Sequence, residues 1–196
     1  MRTADVQRNT AETQIYVKIG LDGTGARELD SGIPFLDHML DQIARHGLVD
    51  LTIRARATLK LMPTTPWKTS ASRWAKPFPR PSGTSRVSFV MATLMFRWMR
   101  PSRAWWWIFP AGLAWSSIAS WKRQFVGQFD LDLIHEFFQG FVNHAQVTLH
   151  FDNLKGENAH HQCETLFKAF GRALRMAVAL DPRLDANAIP STKGSL

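Results

Sequence analysis

The residues best suited to chemistry lie together at His160-His161-Gln162-Cys163-Glu164. If this run opens a helix, His160 and Glu164 are i,i+4 neighbours, and His161 and Glu164 are i,i+3 neighbours. Two imidazoles and a carboxylate then converge near one turn. That donor set suits Mn, Fe, Zn or Ni and needs no thiolate. The same run also reads as a solvated polar helix start, with Glu164 interacting favourably with the positive helix end. Cys163 has no neighbour that would depress its pKa and reads as an inert packed thiol.

Other candidates are spread along the chain. His38 and His46 fall in one helical stretch, while His135, His144 and His150 fall in and just after a second. Each alone reads as a hydrogen-bonded structural histidine. Lys168 lies one turn beyond Glu164, and Ser191, Thr192 and Lys193 stand near the C-terminus. A lysine with hydroxyl and backbone N–H donors makes a phosphate cradle. Read without a ligand, the same C-terminal residues are a frayed polar tail. Glu12, in Arg8-Asn9-Thr10-Ala11-Glu12-Thr13, is by itself a surface acid at the start of a strand.

The elements that must position these groups follow from periodicity. Ile15, Val17, Ile19 and Leu21 alternate and predict a strand over 13–21. Asp22 to Gly25 is a turn. Phe35, Met39, Leu40 and Ile43 recur at helical spacing and predict a helix over 34–46 with Gly47 as its stop. Val49, Leu51 and Ile53 predict a second strand. A helix over 130–143, a strand over 146–151, a polar loop over 152–158 and a long helix over 159–180 follow, then a tail from Asp181 to Leu196. Strands and helices on both sides of the centre imply α/β or α+β architecture.

The centre itself is anomalous. The chain has 196 residues and a formal net charge of +8. Such a charge taken alone points to nucleic acid or an anionic membrane. Its distribution argues otherwise. Residues 57–121 hold nine of the 24 Lys and Arg and none of the 16 Asp and Glu, so the rest of the chain carries 15 basic against 16 acidic residues. The same block holds all eight tryptophans and seven of the ten prolines. Prolines 63, 66, 77, 79 and 81 forbid a long helix or a central strand there, while 87–99 fits one apolar strand or helix. No run approaches the roughly 18 apolar residues of a membrane span, and Met1 to Thr10 is too polar for a secretory leader. The lone Cys163 excludes an internal disulfide and fits a reducing, cytoplasmic compartment.

Together the flanks resemble the imidazoleglycerol-phosphate dehydratase family. The matching stretches are Arg8 to Thr13, Gly32-Ile33-Pro34-Phe35-Leu36-Asp37-His38-Met39-Leu40, His46-Gly47, Val147-Thr148-Leu149-His150, His160 to Glu164, Phe167-Lys168-Ala169-Phe170 and Pro190-Ser191-Thr192-Lys193-Gly194. The resemblance covers 8–56 and 124–196, in order throughout. It implies an α+β fold of two similar β/α half-domains related by an internal repeat. Residues 1–56 would be the first part of the N-terminal half, and 122–196 the C-terminal half with a substrate-binding tail. It implies dehydration of imidazole glycerol phosphate to imidazole acetol phosphate in histidine biosynthesis, with two Mn²⁺ ions per active site. A metal on an imidazole nitrogen is a Lewis acid that favours the imidazolate, whose electrons assist loss of the hydroxyl.

By motif, His38, His160, His161 and Glu164 are the implied metal ligands, and His135 or Glu136 stands beside a further ligand position. Glu12, His46 and Glu164 are the implied catalytic residues. Glu12, His38, His46, Lys168, Ser191 and Lys193 are the implied substrate contacts, the last three at the phosphate. The implied assembly is a 24-mer with metal sites completed across interfaces, and neither nucleic acid nor membrane is an implied partner.

The family carries a second His-His-x-x-Glu motif in its first half, which should fall inside residues 57–121 and is absent as written. The genetic code offers a reason. Read one base early, Met62-Pro63 must give alanine and Trp67-Lys68 must give glutamate, and 62–69 can encode D-A-H-H-T-V-E-D. Met91-Ala92 must give glycine, Trp98-Met99 aspartate, and Trp105-Trp106-Trp107-Ile108 Val-Val-Asp. The block therefore reads as an out-of-frame segment, opened near Arg56 or Ala57 and closed between Leu113 and Gln124. On this reading the centre is disrupted and half the ligands are lost. Two other readings compete. A real Trp-rich basic insertion would bind RNA or anionic membrane by stacking and charge, and a non-catalytic relative would only join an oligomer. Sequencing the gene across 51–125 is expected to show the D-A-H-H-T-V-E-D codons in the neighbouring frame. Their absence there sinks the out-of-frame reading.

Overall fold

The computed structural model describes residues 1–11, 13–57, 92–97, 103–109, 115–118, 121–145 and 147–180. Glu12, Ser191 and Lys193 lie outside them, as does the 62–69 segment. The first half opens with β1 (Thr3–Asn9), β2 (Thr13–Gly20) and β3 (Arg27–Asp30), followed by α1 (Pro34–Gly47) and β4 (Asp50–Ala57). Three strands follow from the anomalous block, β5 (Ala92–Arg97), β6 (Arg103–Phe109) and β7 (Trp115–Ile118). A two-strand ribbon, β8 (Phe125–Val126) and β9 (Phe129–Asp130), leads to α2 (Asp132–Ala145), β10 (Thr148–Lys155) and α3 (Ala159–Val178).

Two four-stranded mixed sheets result. The first has the order β1-β2-β4-β3, and the second β5-β6-β10-β7. In each, three strands pair antiparallel and the last joins in parallel, β3 on β4 and β7 on β10. Each parallel pair is bridged by a helix, α1 between β3 and β4, and α2 between β7 and β10. A parallel pair needs such a crossover, because a tight turn can only reverse the chain. Ile15, Val17 and Ile19 alternate into the core, as do Leu51 and Ile53 across from them.

Several boundaries differ from the sequence reading. β1 and β3 carry few apolar residues and were not expected; pairing with β2 and β4 makes them strands. β10 runs on to Lys155, so 152–155 is strand rather than loop. Its alternation breaks at Asp152, yet the partner strand β6 carries the ladder on. α2 starts at Asp132, because Phe129 and Asp130 pair in the ribbon. Gly47 belongs to α1 and is not its stop. The left-handed residue is Leu48, with φ 51° and ψ 37°, whose N–H returns to the Ala44 carbonyl.

One core joins both halves. Phe137, Phe138 and Phe141 of α2 meet Phe167 and Phe170 of α3 with ring centroids 5.1–5.4 Å apart. Each fully buried phenyl ring contributes about 1.5–3 kcal/mol. α3 is covered on almost every side, with Cys163, Leu166, Phe167, Ala169, Phe170 and Ala173 all within 1% of complete burial. Burial pushes the Cys163 thiol pKa far up, as an inert packed thiol requires. Among the described residues no helix is long and apolar enough to cross a membrane.

α1 crosses α3 at glycine. A Cβ on Gly171 would lie 3.0 Å from the Ile43 carbonyl oxygen and 3.1 Å from the Gly47 nitrogen, and one on Gly47 would lie 3.2 Å from the Gly171 carbonyl oxygen. These neighbours are backbone and cannot rotate away. Replacing Gly171 by alanine is therefore expected to destabilise the fold by about 1–3 kcal/mol despite alanine's better helix propensity. Denaturant unfolding checks this; a neutral or stabilising Gly171→Ala would show that the crossing is slack.

Candidate metal centre

The crossing at Gly47 and Gly171 lays the first turns of α1 and α3 side by side. α1 begins with Pro34 at its first position, where a missing N–H costs nothing. Upstream, the Ser31 N–H donates to Asp37 Oδ1 at 3.0 Å and the Ile33 N–H donates to Ser31 Oγ at 3.2 Å, which fixes the entry of the helix. His38 then follows directly after the first turn. Gln42 Nε2 lies 3.5 Å from His38 Nδ1, so Nε2 is the nitrogen turned toward α3.

α3 is capped by Asn158, whose Oδ1 accepts the His161 N–H at 3.1 Å. The cap commits His160 to the first turn. Its ring rests edge-on against Phe35 of α1, with centroids 5.3 Å apart. Glu164 follows one turn on. Its Oε1 lies 4.0 Å from His38 Nε2, and its Oε2 3.8 Å from His160 Nε2. His38, His160 and Glu164 thus offer three donor atoms within 4.8 Å of one another. The i,i+4 pair expected on the helix is present, and α1 supplies the third group.

The other expected residues among those described lie outside the three-donor cluster. His161 is half-buried and its ring meets the His160 ring edge-on at 5.8 Å, but it does not join the three-donor cluster. Lys168, expected at a substrate phosphate, is buried, with Nζ 2.7 Å from Glu164 Oε1. His46 stands in the last turn of α1, half-buried, where the charges of Lys168 and Arg172 reach it. His135 and Glu136 are exposed on α2 and line a separate cavity of about 370 Å³ with Trp121, Leu131 and Phe151. The Lys168 contact has a sequence signal, an i,i+4 Glu-to-Lys pair, although its burial does not. Asn158 is equally legible as a cap two residues before His160.

Electrostatics prepare the cluster for a cation. Burial lowers the His160 pKa, and the charges of His38, His161 and Lys168 add to that against the opposing Glu164. The lowered pKa favours the neutral imidazole, the form that ligates a metal. For Glu164, burial acts to raise the pKa, but the Lys168 hydrogen bond and charge, with His38 and His160, outweigh it and hold the carboxyl below its ordinary value. Two imidazole nitrogens and one carboxylate oxygen are hard-to-borderline donors that fit Mn²⁺ or its neighbours, with no thiolate among them.

Known proteins match this chain closely. The profile of the family described as Imidazoleglycerol-phosphate dehydratase matches residues 111–174. The enzyme of that name from Nitrosomonas europaea is 50% identical over 100% of this chain and 99% of its own length. The one from Janthinobacterium sp. (strain Marseille) is 51% identical over 100% of this chain and 98% of its own. Among solved structures, imidazoleglycerol-phosphate dehydratase from Staphylococcus aureus superposes with a TM-score of 0.80 at 25% identity, covering 91% of this chain and 99% of that one. The Pyrococcus furiosus structure gives 0.79 at 26% identity, covering 97% and 100%.

The histidine pKa values have a consequence for stability. Burial, followed by the Lys168 and Arg172 charges, lowers the His46 pKa below its ordinary 6.5. A histidine depressed on folding stabilises the fold while neutral. That contribution is whole above the ordinary value and is lost as pH falls through the folded value. Metal-free protein is expected to lose stability as the medium is acidified below about pH 6.5. His46→Gln should flatten part of that slope; an unchanged slope in denaturant unfolding at several pH values would remove His46 from the account.

Proposed function

Because the chain belongs to the imidazoleglycerol-phosphate dehydratase family, the hydro-lyases that dehydrate imidazole glycerol phosphate in histidine biosynthesis, we propose that the α1–α3 seam is its Mn²⁺-dependent active site. The observation that carries this reading is the convergence of His38, His160 and Glu164 from two helices. These three residues would hold the cation. When bound, Mn²⁺ supplies Lewis acidity toward an imidazole nitrogen of the substrate and favours loss of the ring proton.

The protein's own groups do the rest. Glu12, one residue before Thr13 in sequence, exchanges the proton of the reacting carbon through its carboxylate. His46, neutral near physiological pH, borders the substrate. Ser191 and Lys193 bind the phosphate by hydroxyl and ammonium donors and so orient the reacting carbon. His161, outside the three-donor cluster, serves as a ligand toward a second metal completed by another copy. A 24-mer built on such shared sites, working in the cytoplasm, is the assembly this implies. The like connectivity of the two sheets supports an internal repeat, with one ligand helix in each half.

The chain as written supplies only the second of two His-His-x-x-Glu sets. The forced codons across 62–108 support an out-of-frame block between 57 and 121. We therefore expect the chain as written to be inactive and the frame-restored chain to be the working dehydratase. Both are assayed for dehydration of imidazole glycerol phosphate with added Mn²⁺. Turnover only by the restored chain is expected, and full activity from the chain as written would overturn this part of the reading.

A further inference from the structure

Lys168 is an unusual companion for a cation site. Its side chain is 5% exposed, and Nζ lies 2.7 Å from Glu164 Oε1. Glu164 in turn is 14% exposed; its Oε1, besides meeting Lys168, lies 4.0 Å from His38 Nε2, while Oε2, which Lys168 does not hold, lies 3.8 Å from His160 Nε2. The lysine belongs to the buried side of α3, among Phe167, Ala169 and Phe170. Ordering and burying so long a side chain carries an entropic and a desolvation cost. Its charge moreover repels any dication that Glu164 would bind. Its charge thus favours the ionised Glu164 yet opposes a dication beside it, so charge alone does not account for its place here.

Orientation does. A glutamate on a helix has three side-chain torsions, and a two-oxygen carboxylate can ligate through either oxygen or both. An ammonium fixed on Oε1 removes that freedom. We infer that Lys168 is a positioning residue that fixes Glu164 as a one-oxygen metal ligand, holding Oε1 and leaving Oε2, on the His160 side, to the cation. The lysine stem is locked by packing in α3, so the constraint passes from the core to the ligand. This inference rests on the metal reading of the site given above and concerns a group outside its three ligands. Partners that orient ligands in this way carry much of a metal site's affinity.

Charge and positioning predict opposite signs, which makes the test direct. Mn²⁺ is titrated into the metal-free whole chain, and free Mn²⁺ is read from its electron paramagnetic resonance signal. Repulsion alone predicts tighter binding when Lys168→Met removes the charge. Positioning predicts binding weakened about 10–100-fold. Lys168→Arg, which keeps a donor on Oε1, should recover to within about 3-fold of the unaltered chain. In a Glu164→Gln background, Lys168→Met should have no further effect, since the carboxylate it orients is gone. Lys168→Leu gives the same reading should the methionine variant fail to fold, with circular dichroism reporting the fold. Unchanged or tighter binding by a folded Lys168→Met overturns the inference, and so does an equal loss in the Glu164→Gln background. An unaltered chain that takes up no Mn²⁺ overturns the metal reading itself, and this inference with it.

Discussion

Everything at the site depends on how closely two helices approach. Gly47 and Gly171 meet backbone to backbone, and no side chain separates α1 from α3 at that point. The approach is local, but its effect is carried along rigid helices to their first turns. There it brings His38 within reach of Glu164 and sets Phe35 against His160. A wider crossing would leave three good donors too far apart to act together. Packing at the C-terminal end of α1 and in the second half of α3 thus governs chemistry at their N-terminal ends.

The second dependence is the position of α3. A surface helix could present His160 and Glu164, but it could not seal Lys168 from water. α3 packs against α1 and α2, and two of its buried polar side chains, Thr165 and Lys168, are paired. Thr165 Oγ1 donates back to the His161 carbonyl at 2.7 Å. Glu164 and Lys168 answer each other. A low-dielectric surrounding strengthens each such pairing and penalises any that is left unmade. Glu164 and Lys168 are therefore enclosed, while His38 and His160 keep about two-fifths of their side chains exposed.

Much of this was legible in residue order. The alternation of Ile15, Val17 and Ile19 and the helical spacing of Phe35, Met39 and Ile43 placed β2 and α1 within a residue or so. The His160–Glu164 pair was readable from helical spacing alone. His38 entered through resemblance, since no local pattern says which face of another helix a histidine will meet. The weakly apolar β1 and β3 were not legible, because strands of that kind are made by their neighbours rather than by their own periodicity. The burial of Lys168 was hidden for a related reason. A lysine is ordinarily taken as exposed, and only the crowding of α3 on nearly all sides overrides that. Gly47 reads in sequence as a helix stop, although its small size serves the approach of a helix some 120 residues later in the chain.

The order of strands in the second sheet carries a consequence for the time course of folding. Among the described residues β10 is the last strand made, yet it lies inside the sheet, between β6 and β7. As the chain leaves the ribosome, β6 and β7 must wait with open edges until residues 148–155 arrive to fill the gap between them. Open edges recruit other strands. The interval between synthesis of β7 and β10 is thus the period when nascent copies are most exposed to pairing with each other. α2, made within that interval, buries its phenylalanines fully only when α3 follows.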